Sequence, residues 1–392
     1  MIAESTPHFD ALETLGRRLT QTFSAAGAEL VAPSVIQPAG LFLDVIGESL
    51  RGRTYVFTDP EGHELCLRPD LTVPACRIYL ERDPACLSAR RFCYSGPIFR
   101  YQPQDAPKSH AREARQAGFE IFGVSDRAAA DAEVLSVTVA ALRETGLQDV
   151  TLHMGDLGLL HDMLDALAMP DRWRRQLAHQ FWRADAFHAE LKRLVERPAA
   201  SARGIDPALL ARLDPERPDD ASGFVAAHLA ANGIEIFGTR QLGDITAGLL
   251  EAAADTRAGP LDPAHAQLIE AYVEIAGTPE QAIDKLEVLA NSASCDIGGA
   301  IATYRRRLAL MATAGVDLGR ARFSGEFGRR FEYYTGFVFD LVVPQLGTRS
   351  PVAGGGRYDG LLRAVGAPHD VPAVGAAIHT ERLRTALGGG AR

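Results

Sequence analysis

Strand-forming segments fall in two blocks, one on each side of a long helical stretch, and this arrangement limits the fold more than any other feature. The first block opens with a helix over Phe9–Ala26, where Leu12, Leu15, Leu19 and Phe23 recur at helical spacing up to Gly27. A short strand over Glu29–Pro33 follows, and the chain turns through Pro38 and Gly40. Arg53–Thr58 and Glu64–Arg68 read as a hairpin around the turn Asp59–Gly62. Asp70 or Thr72 can cap a helix starting near Val73. Strands are expected over Arg91–Tyr101 and Glu113–Phe122, a helix over Asp126–Glu144, and a strand over Asp149–Met154.

From about Leu157 to about Leu310 the pattern is helical, with Leu, Ala and Arg at i, i+3, i+4 spacing and a Pro- and Asp-rich break over Pro198–Ser222. Strand signals return at Tyr333–Val343 and Pro372–Ile378. Antiparallel hairpins, then helices, then more strands imply an α+β fold. Its sheet core is built from 1–156 and 256–392, with a mainly helical insertion over 157–255. There is no internal repeat or low-complexity tract.

A chain of 392 residues, 46% hydrophobic and 23% charged, can bury a sizeable core. A net charge of −9 offers no general attraction to phosphate backbones. No apolar run is long enough to span a bilayer, and the start lacks a basic region followed by an apolar stretch. Cys66, Cys76, Cys86, Cys93 and Cys295 form no C-x-x-C pair and have no histidine cluster at zinc spacing. Reduced thiols in a cytoplasmic protein, with no metal and no cofactor, are the expectation.

The strand around Gln116–Phe122 is the most informative for chemistry. Side chains alternate, so Phe119 and Ile121 face one side while Gln116, Gly118 and Glu120 face the other. That second face is either a solvated sheet surface or a wall that takes a small cationic ligand, with Glu120 accepting from an ammonium or imidazole N–H. On the preceding strand Arg100 and Gln102 share a face, and Arg100 is either a surface arginine or a holder of phosphate or carboxylate. Gly354–Gly356, followed by Arg357, Tyr358 and Asp359, is either a plain glycine-rich turn or a place where backbone approaches a ligand. It is not a Walker loop.

Six segments taken in order, LRPDLTVPA (67–75), GPIFRYQPQ (96–104), RQAGFEIFG (115–123), RRFEYYTGFVFD (329–340), AGGGRYDGLL (353–362) and VGAAIHTERL (374–383), resemble histidyl-tRNA synthetases in order and rough spacing. The leading helix and strand look like that family's dimer-forming motif 1. The resemblance implies a class II synthetase-like antiparallel sheet flanked by helices. It implies a histidine pocket at Asp70, Thr72, Gln116, Glu120, Tyr333 and Tyr334, with the Gly354–Gly356 loop close by. Arg100, Arg329 and Arg382 match arginines that handle ATP phosphates and adenylate formation.

Three departures fall on the ATP side. Gln102 stands where the motif 2 acid is expected, Arg330 replaces a glycine, and His379 replaces the glycine of Gly-x-Glu-Arg. The last motif ends at Leu383, with Arg384–Arg392 after it, so no anticodon-binding domain is expected in this chain. A core of this kind is similar to the regulatory subunits of ATP phosphoribosyltransferase. That resemblance implies no catalytic residues, feedback sensing of histidine in the first step of histidine biosynthesis, and a homodimeric core within a hetero-oligomer containing a short-form catalytic subunit. Arg100, Arg329 and Arg382 would then be a remnant anion or nucleotide site. The alternatives are an enzyme that still activates an amino acid with ATP, using these three arginines as phosphate clamps, and a scaffold without a ligand.

Overall fold

The computed structural model describes residues 6–43, 51–102, 112–181, 183–196, 205–234, 236, 241–293, 295–327 and 333–388. The chain forms two compact units, Met1–Asp162 with Tyr272–Arg392, and Met163–Ala271.

The first unit is built on a sheet that has nine strands among the described residues, in the order β1-β5-β6-β12-β11-β10-β7-β9-β8. Its centre is antiparallel. β5 (Arg90–Phe99) pairs with β6 (Glu113–Phe122) in a ten-residue register from Arg90 opposite Phe122 to Phe99 opposite Glu113. β12 (Ala373–His379), β11 (Ala353–Arg357), β10 (Phe337–Val342) and β7 (Thr151–Asp156) continue it. β1 (Glu29–Leu30) runs parallel to β5, β9 (Arg322–Ser324) runs parallel to β7, and β8 (Ala276–Gly277) closes the far edge. β1 is shorter than the sequence suggests. Only Glu29 and Leu30 pair with β5 as strand, and Pro33 lacks an N–H to extend the ladder; its carbonyl accepts from the Arg68 guanidinium instead.

Helix α1 (Thr6–Ala25) buries the expected Leu12, Leu15, Leu19 and Phe23 stripe, and Phe23 stacks on Phe119 of β6 with ring centres 5.7 Å apart. Gly27 ends it at φ +88°, a conformation glycine adopts without strain. The hairpin forms β3 (Tyr55–Thr58) and β4 (Glu64–Leu67) of a second sheet, joined by β2 (Ile36–Pro38), so Pro38 sits in an edge strand rather than a turn. Helix α2 (Thr72–Arg82) starts where Asp70 Oδ1 accepts from Val73 N at 3.1 Å. Helix α3 (Arg127–Glu144) is capped by Asp126, which accepts from Ala129 N.

The Gly354–Gly356 segment is not a loop. It lies inside β11, wholly buried. A Cβ on Gly355 would stand 2.2 Å from the Gly375 carbonyl oxygen and 2.8 Å from Ala376 Cα on β12, so glycine here serves close strand packing. Because the obstruction is backbone, Gly355→Ala is expected to lower unfolding stability by about 1–3 kcal/mol, measured by urea denaturation. An unchanged midpoint would mean the strands can separate freely.

Behind β11 and β7 lies a buried ion cluster. Asp131 of α3 accepts from Arg307 Nε of α4 (Gly298–Thr313) at 2.8 Å and from Arg357 Nε and Nη2 of β11 at 2.9 and 2.6 Å. Arg307 Nη1 donates to Asp156 at 2.5 Å, and Arg357 Nη1 donates to Asp359 at 2.8 Å. Burial alone would lower the Arg307 guanidinium, but Asp156 and Asp131 hold it above its ordinary range.

The second unit is helical. Leu209, Leu210, Leu213, Ala221, Val225, Ala252 and Ala253 form one of its cores. The Pro- and Asp-rich break contains structure: helix Pro207–Arg212 begins on the cap Asp206, and helix Pro218–Ala231 begins on Pro218. Proline at the first helical position costs no hydrogen bond, so the prolines start helices here instead of interrupting them. Residues 198–204 of that break lie outside the described residues.

Candidate functional site

The floor of the site is β6. β5 and β12 pair along its two edges, and Thr72 at the start of α2, with Tyr94 and Tyr358, closes over Glu120, so its polar face is interior and not solvated. Gln116 is 5% exposed and Glu120 is 1% exposed. A buried carboxylate needs donors, and Glu120 has three hydroxyls. Tyr94 OH donates to Oε1 at 2.6 Å, Thr72 Oγ1 donates to Oε1 at 2.9 Å, and Tyr358 OH donates to Oε2. Gly375 of β12 makes room for this group: a Cβ there would lie 1.4 Å from Glu120 Oε2.

Around that floor a small cavity of about 40 Å³ is lined by Asp70, Thr72, Gln116, Tyr333, Tyr334, Tyr358, Gly354 of β11 and Gly375 of β12, with Arg100 and His379 also on its wall. Five of the six sequence-predicted pocket residues therefore line one cavity, and the sixth, Glu120, lies beneath it, bonded to Thr72 and Tyr358 of the lining. Tyr333 and Tyr334 pack with ring centres 4.9 Å apart, and Tyr333 meets Tyr358 edge to face at 5.8 Å. Asp70 is 4% exposed, and its Oδ2 is buried without a hydrogen-bond partner among the described residues. Burial raises the Asp70 carboxyl above its usual range, opposed by the bond from Val73 N and by Arg100. An orphaned buried carboxylate oxygen beside a second buried carboxyl is an acceptor-rich lining that suits a cationic group.

Arg100 follows the end of β5 rather than lying in it. Its Nε donates to the Pro69 carbonyl at 2.8 Å, beside Asp70. Burial lowers its guanidinium to about 10. Arg382, on helix α5 (Thr380–Ala386), donates to the Pro351 carbonyl at 2.8 Å and lies near enough to Arg100 to oppose its charge. Arg329, with Arg330, lies outside the described residues. Gln102 is buried, and His379 pairs across β12–β6 with Gln116. The sequence reading missed Tyr94 and Tyr358 as donors to Glu120. Tyr94 faces Gly118 across the β5–β6 register, where a Cβ would lie 2.4 Å from the tyrosine ring, so that glycine is the signal for a large partner.

Burial raises Glu120 to about 7, although its three hydroxyl donors pull the other way. Burial likewise raises Glu381, at the start of α5, to about 7. Both groups keep a proton in the folded chain at pH values where the unfolded chain has lost it. Their contribution to stability is full below about 4.5 and is lost as pH rises through about 7. The unfolding free energy is therefore expected to fall by on the order of a few kcal/mol between pH 5 and pH 8. Urea denaturation across that range checks this, and flat stability would mean that neither group is raised.

No helix of the described residues is long and apolar enough to cross a membrane, and all five cysteines are free and buried. The family model of histidyl-tRNA synthetase matches residues 4–383. The ATP phosphoribosyltransferase regulatory subunit of Allorhizobium ampelinum is 33% identical over 375 residues, spanning 94% of this chain and 96% of that protein. That of Agrobacterium fabrum is 33% identical over 386 residues, spanning 97% and 99%. Among solved structures, an ATP phosphoribosyltransferase regulatory subunit/histidyl-tRNA synthetase from Bacillus halodurans superposes with a TM-score of 0.67 at 18% identity, over 99% of this chain and 82% of that one. A histidyl-tRNA synthetase from a Nostoc species superposes with a TM-score of 0.62 at 15% identity, over 99% and 76%. With its class II synthetase-like sheet and near-complete alignment to such relatives, the chain belongs to the ATP phosphoribosyltransferase regulatory subunit family.

Proposed function

We propose that the chain is the non-catalytic regulatory subunit of an ATP phosphoribosyltransferase, that it assembles with a short-form catalytic subunit, and that L-histidine held in the Glu120 pocket is its feedback effector. The observation that carries the ligand reading is the pair of buried carboxyls, Asp70 with an orphaned oxygen and Glu120 under a tyrosine wall, in a chain whose relatives are regulatory subunits. In this reading Asp70, Thr72 and Gln116 take the polar groups of histidine, Glu120 is the acceptor at the bottom, and Tyr333 and Tyr334 cover the ligand. The cavity of about 40 Å³ is well below an ordinary ligand site of roughly 300 Å³ or more, so histidine binding requires the tyrosine wall to shift. Regulation then follows by linkage: histidine favours the conformation with the wall displaced, and the catalytic partner feels the difference, with a coupling of about 1–3 kcal/mol sufficing. Arg100, Arg382 and Arg329 are read as a nucleotide-site remnant, and the expected compartment is the cytoplasm.

The test combines three measurements on the purified chain: histidine binding by calorimetry, histidine-dependent exchange of pyrophosphate into ATP, and phosphoribosyl transfer by a short-form catalytic subunit with and without the chain. Binding without exchange, with transfer activated by the chain and inhibited by histidine, is the expected result. Robust exchange would replace this reading with that of an amino-acid-activating enzyme.

A further inference from the structure

A second cavity, of about 720 Å³, opens in the sheet unit between the start of α3, helix α4 and Thr335–Gly336. Its size lies within the range of ordinary small-molecule sites, roughly 300–1,000 Å³. Arg127, Arg306, Arg307 and Arg357 line it, together with Asp126, Asp156, Asp162 and Asp359.

Four lining arginines meet four lining aspartates, and Asp131 behind the wall adds a fifth carboxylate on Arg307 and Arg357, yet the arginine N–H groups outnumber the bonds they make. The acceptors are taken. Asp126 accepts from Ala129 N at 3.1 Å and from both Arg306 Nη groups at 2.8 and 2.5 Å. Asp156 accepts from Gly158 N at 2.9 Å and Arg307 Nη1 at 2.5 Å. Asp359 accepts from Ala373 N and Arg357 Nη1 and pairs with Arg127 Nε at 3.0 Å; Asp162 is engaged as well. The arginines carry more N–H groups than these pairs use. Arg127 meets Asp359 through Nε, and Arg307, only 4% exposed, uses Nε and Nη1 on Asp131 and Asp156. The Arg127 and Arg306 side chains are more than half exposed, so their pairs at the rim are weak and can reorient.

We propose that this cavity binds a small molecule carrying a phosphate group, held by Arg127 and Arg306 at the rim and Arg307 at the floor. Guanidinium forks match phosphate oxygens bidentately. The cavity is larger than a bare ion needs, and Ala128, Leu159, Ala300 and Ala302 leave wall for an uncharged body. The site shares no lining residue with the Glu120 pocket.

Ribose 5-phosphate is the probe, titrated into the full-length chain by calorimetry. Saturable binding is expected, weakened roughly tenfold or more by Arg306→Gln and separately by Arg127→Gln, as loss of a charged hydrogen-bonding group predicts. Arg100→Gln, beside the other pocket, should leave it intact. Absence of saturable binding overturns the proposal, and so does binding that survives both rim substitutions or is lost in Arg100→Gln. Arg127 caps nothing and is largely exposed, so its variant tests the site even if Arg306→Gln disturbs the Asp126 cap of α3.

Discussion

Asp131→Ala is expected to lower the unfolding free energy of the sheet unit by about 3–5 kcal/mol, among the largest single effects in this chain. Asp131 is fully buried and accepts three hydrogen bonds from two arginines that are themselves 4% exposed. Removing it leaves two buried guanidinium groups short of an acceptor, and the cost comes mostly from those stranded charges. Arg307 would keep Asp156 and Arg357 would keep Asp359, so the cluster is damaged rather than abolished. Asp131→Asn keeps one acceptor oxygen but turns an NH2 donor toward one of the two arginines and loses the charge. It should still cost less than alanine, because half of the acceptor capacity and the side-chain volume remain. Urea denaturation of both variants checks the ranking. A loss below about 1 kcal/mol for the alanine variant would mean the arginines find other acceptors. The cluster also adjoins the proposed histidine pocket, because Arg357 immediately precedes Tyr358, a donor to Glu120. Histidine binding should weaken alongside stability.

Glu120→Gln is expected to move stability and binding in opposite directions. As the proposed acceptor for histidine, the Glu120 carboxylate makes charge-assisted hydrogen bonds worth about 1.5–3 kcal/mol, so the dissociation constant for histidine should rise by about 10- to 100-fold. At pH 8 the folded chain carries the cost of ionising a buried carboxyl that burial raises to about 7. Glutamine removes that cost, and its amide can still accept from Tyr94 and Thr72 while donating to Tyr358. The variant should therefore be more stable than the parent at pH 8 and no more stable at pH 5. Calorimetry with histidine and denaturation at the two pH values separate the roles. Unchanged affinity would remove Glu120 from the pocket, whereas reduced stability at both pH values would make its role structural. Assembly with the catalytic subunit should survive, since Glu120 is buried.

Much of this was legible before any coordinates. Period-2 and period-3.6 patterns placed α1, the β3–β4 hairpin, β5, β6 and α3 close to where they form, because each of those patterns is local. The motif order pointed to Asp70, Thr72, Gln116, Glu120, Tyr333 and Tyr334, and these residues do come together around one cavity. Glycine was harder to read. Gly354–Gly356 looked like a turn, since a run of glycines has no side-chain periodicity to betray a strand.

What the sequence determined by itself is the order of elements, the family, and the residue types that gather at the site, all of which follow from local pattern and motif spacing. Tertiary structure alone decided that both faces of β6 are interior, why Gly355 and Gly375 carry no side chain, and that Asp131, Arg307, Arg357 and Asp156 form one cluster. Each of these depends on neighbours far apart in the chain: β12 lies against β6 across some 250 residues, and Arg307 meets Asp131 across 176. Burial and pairing, and with them the raised Glu120 carboxyl, belong to those distant contacts and to no single segment.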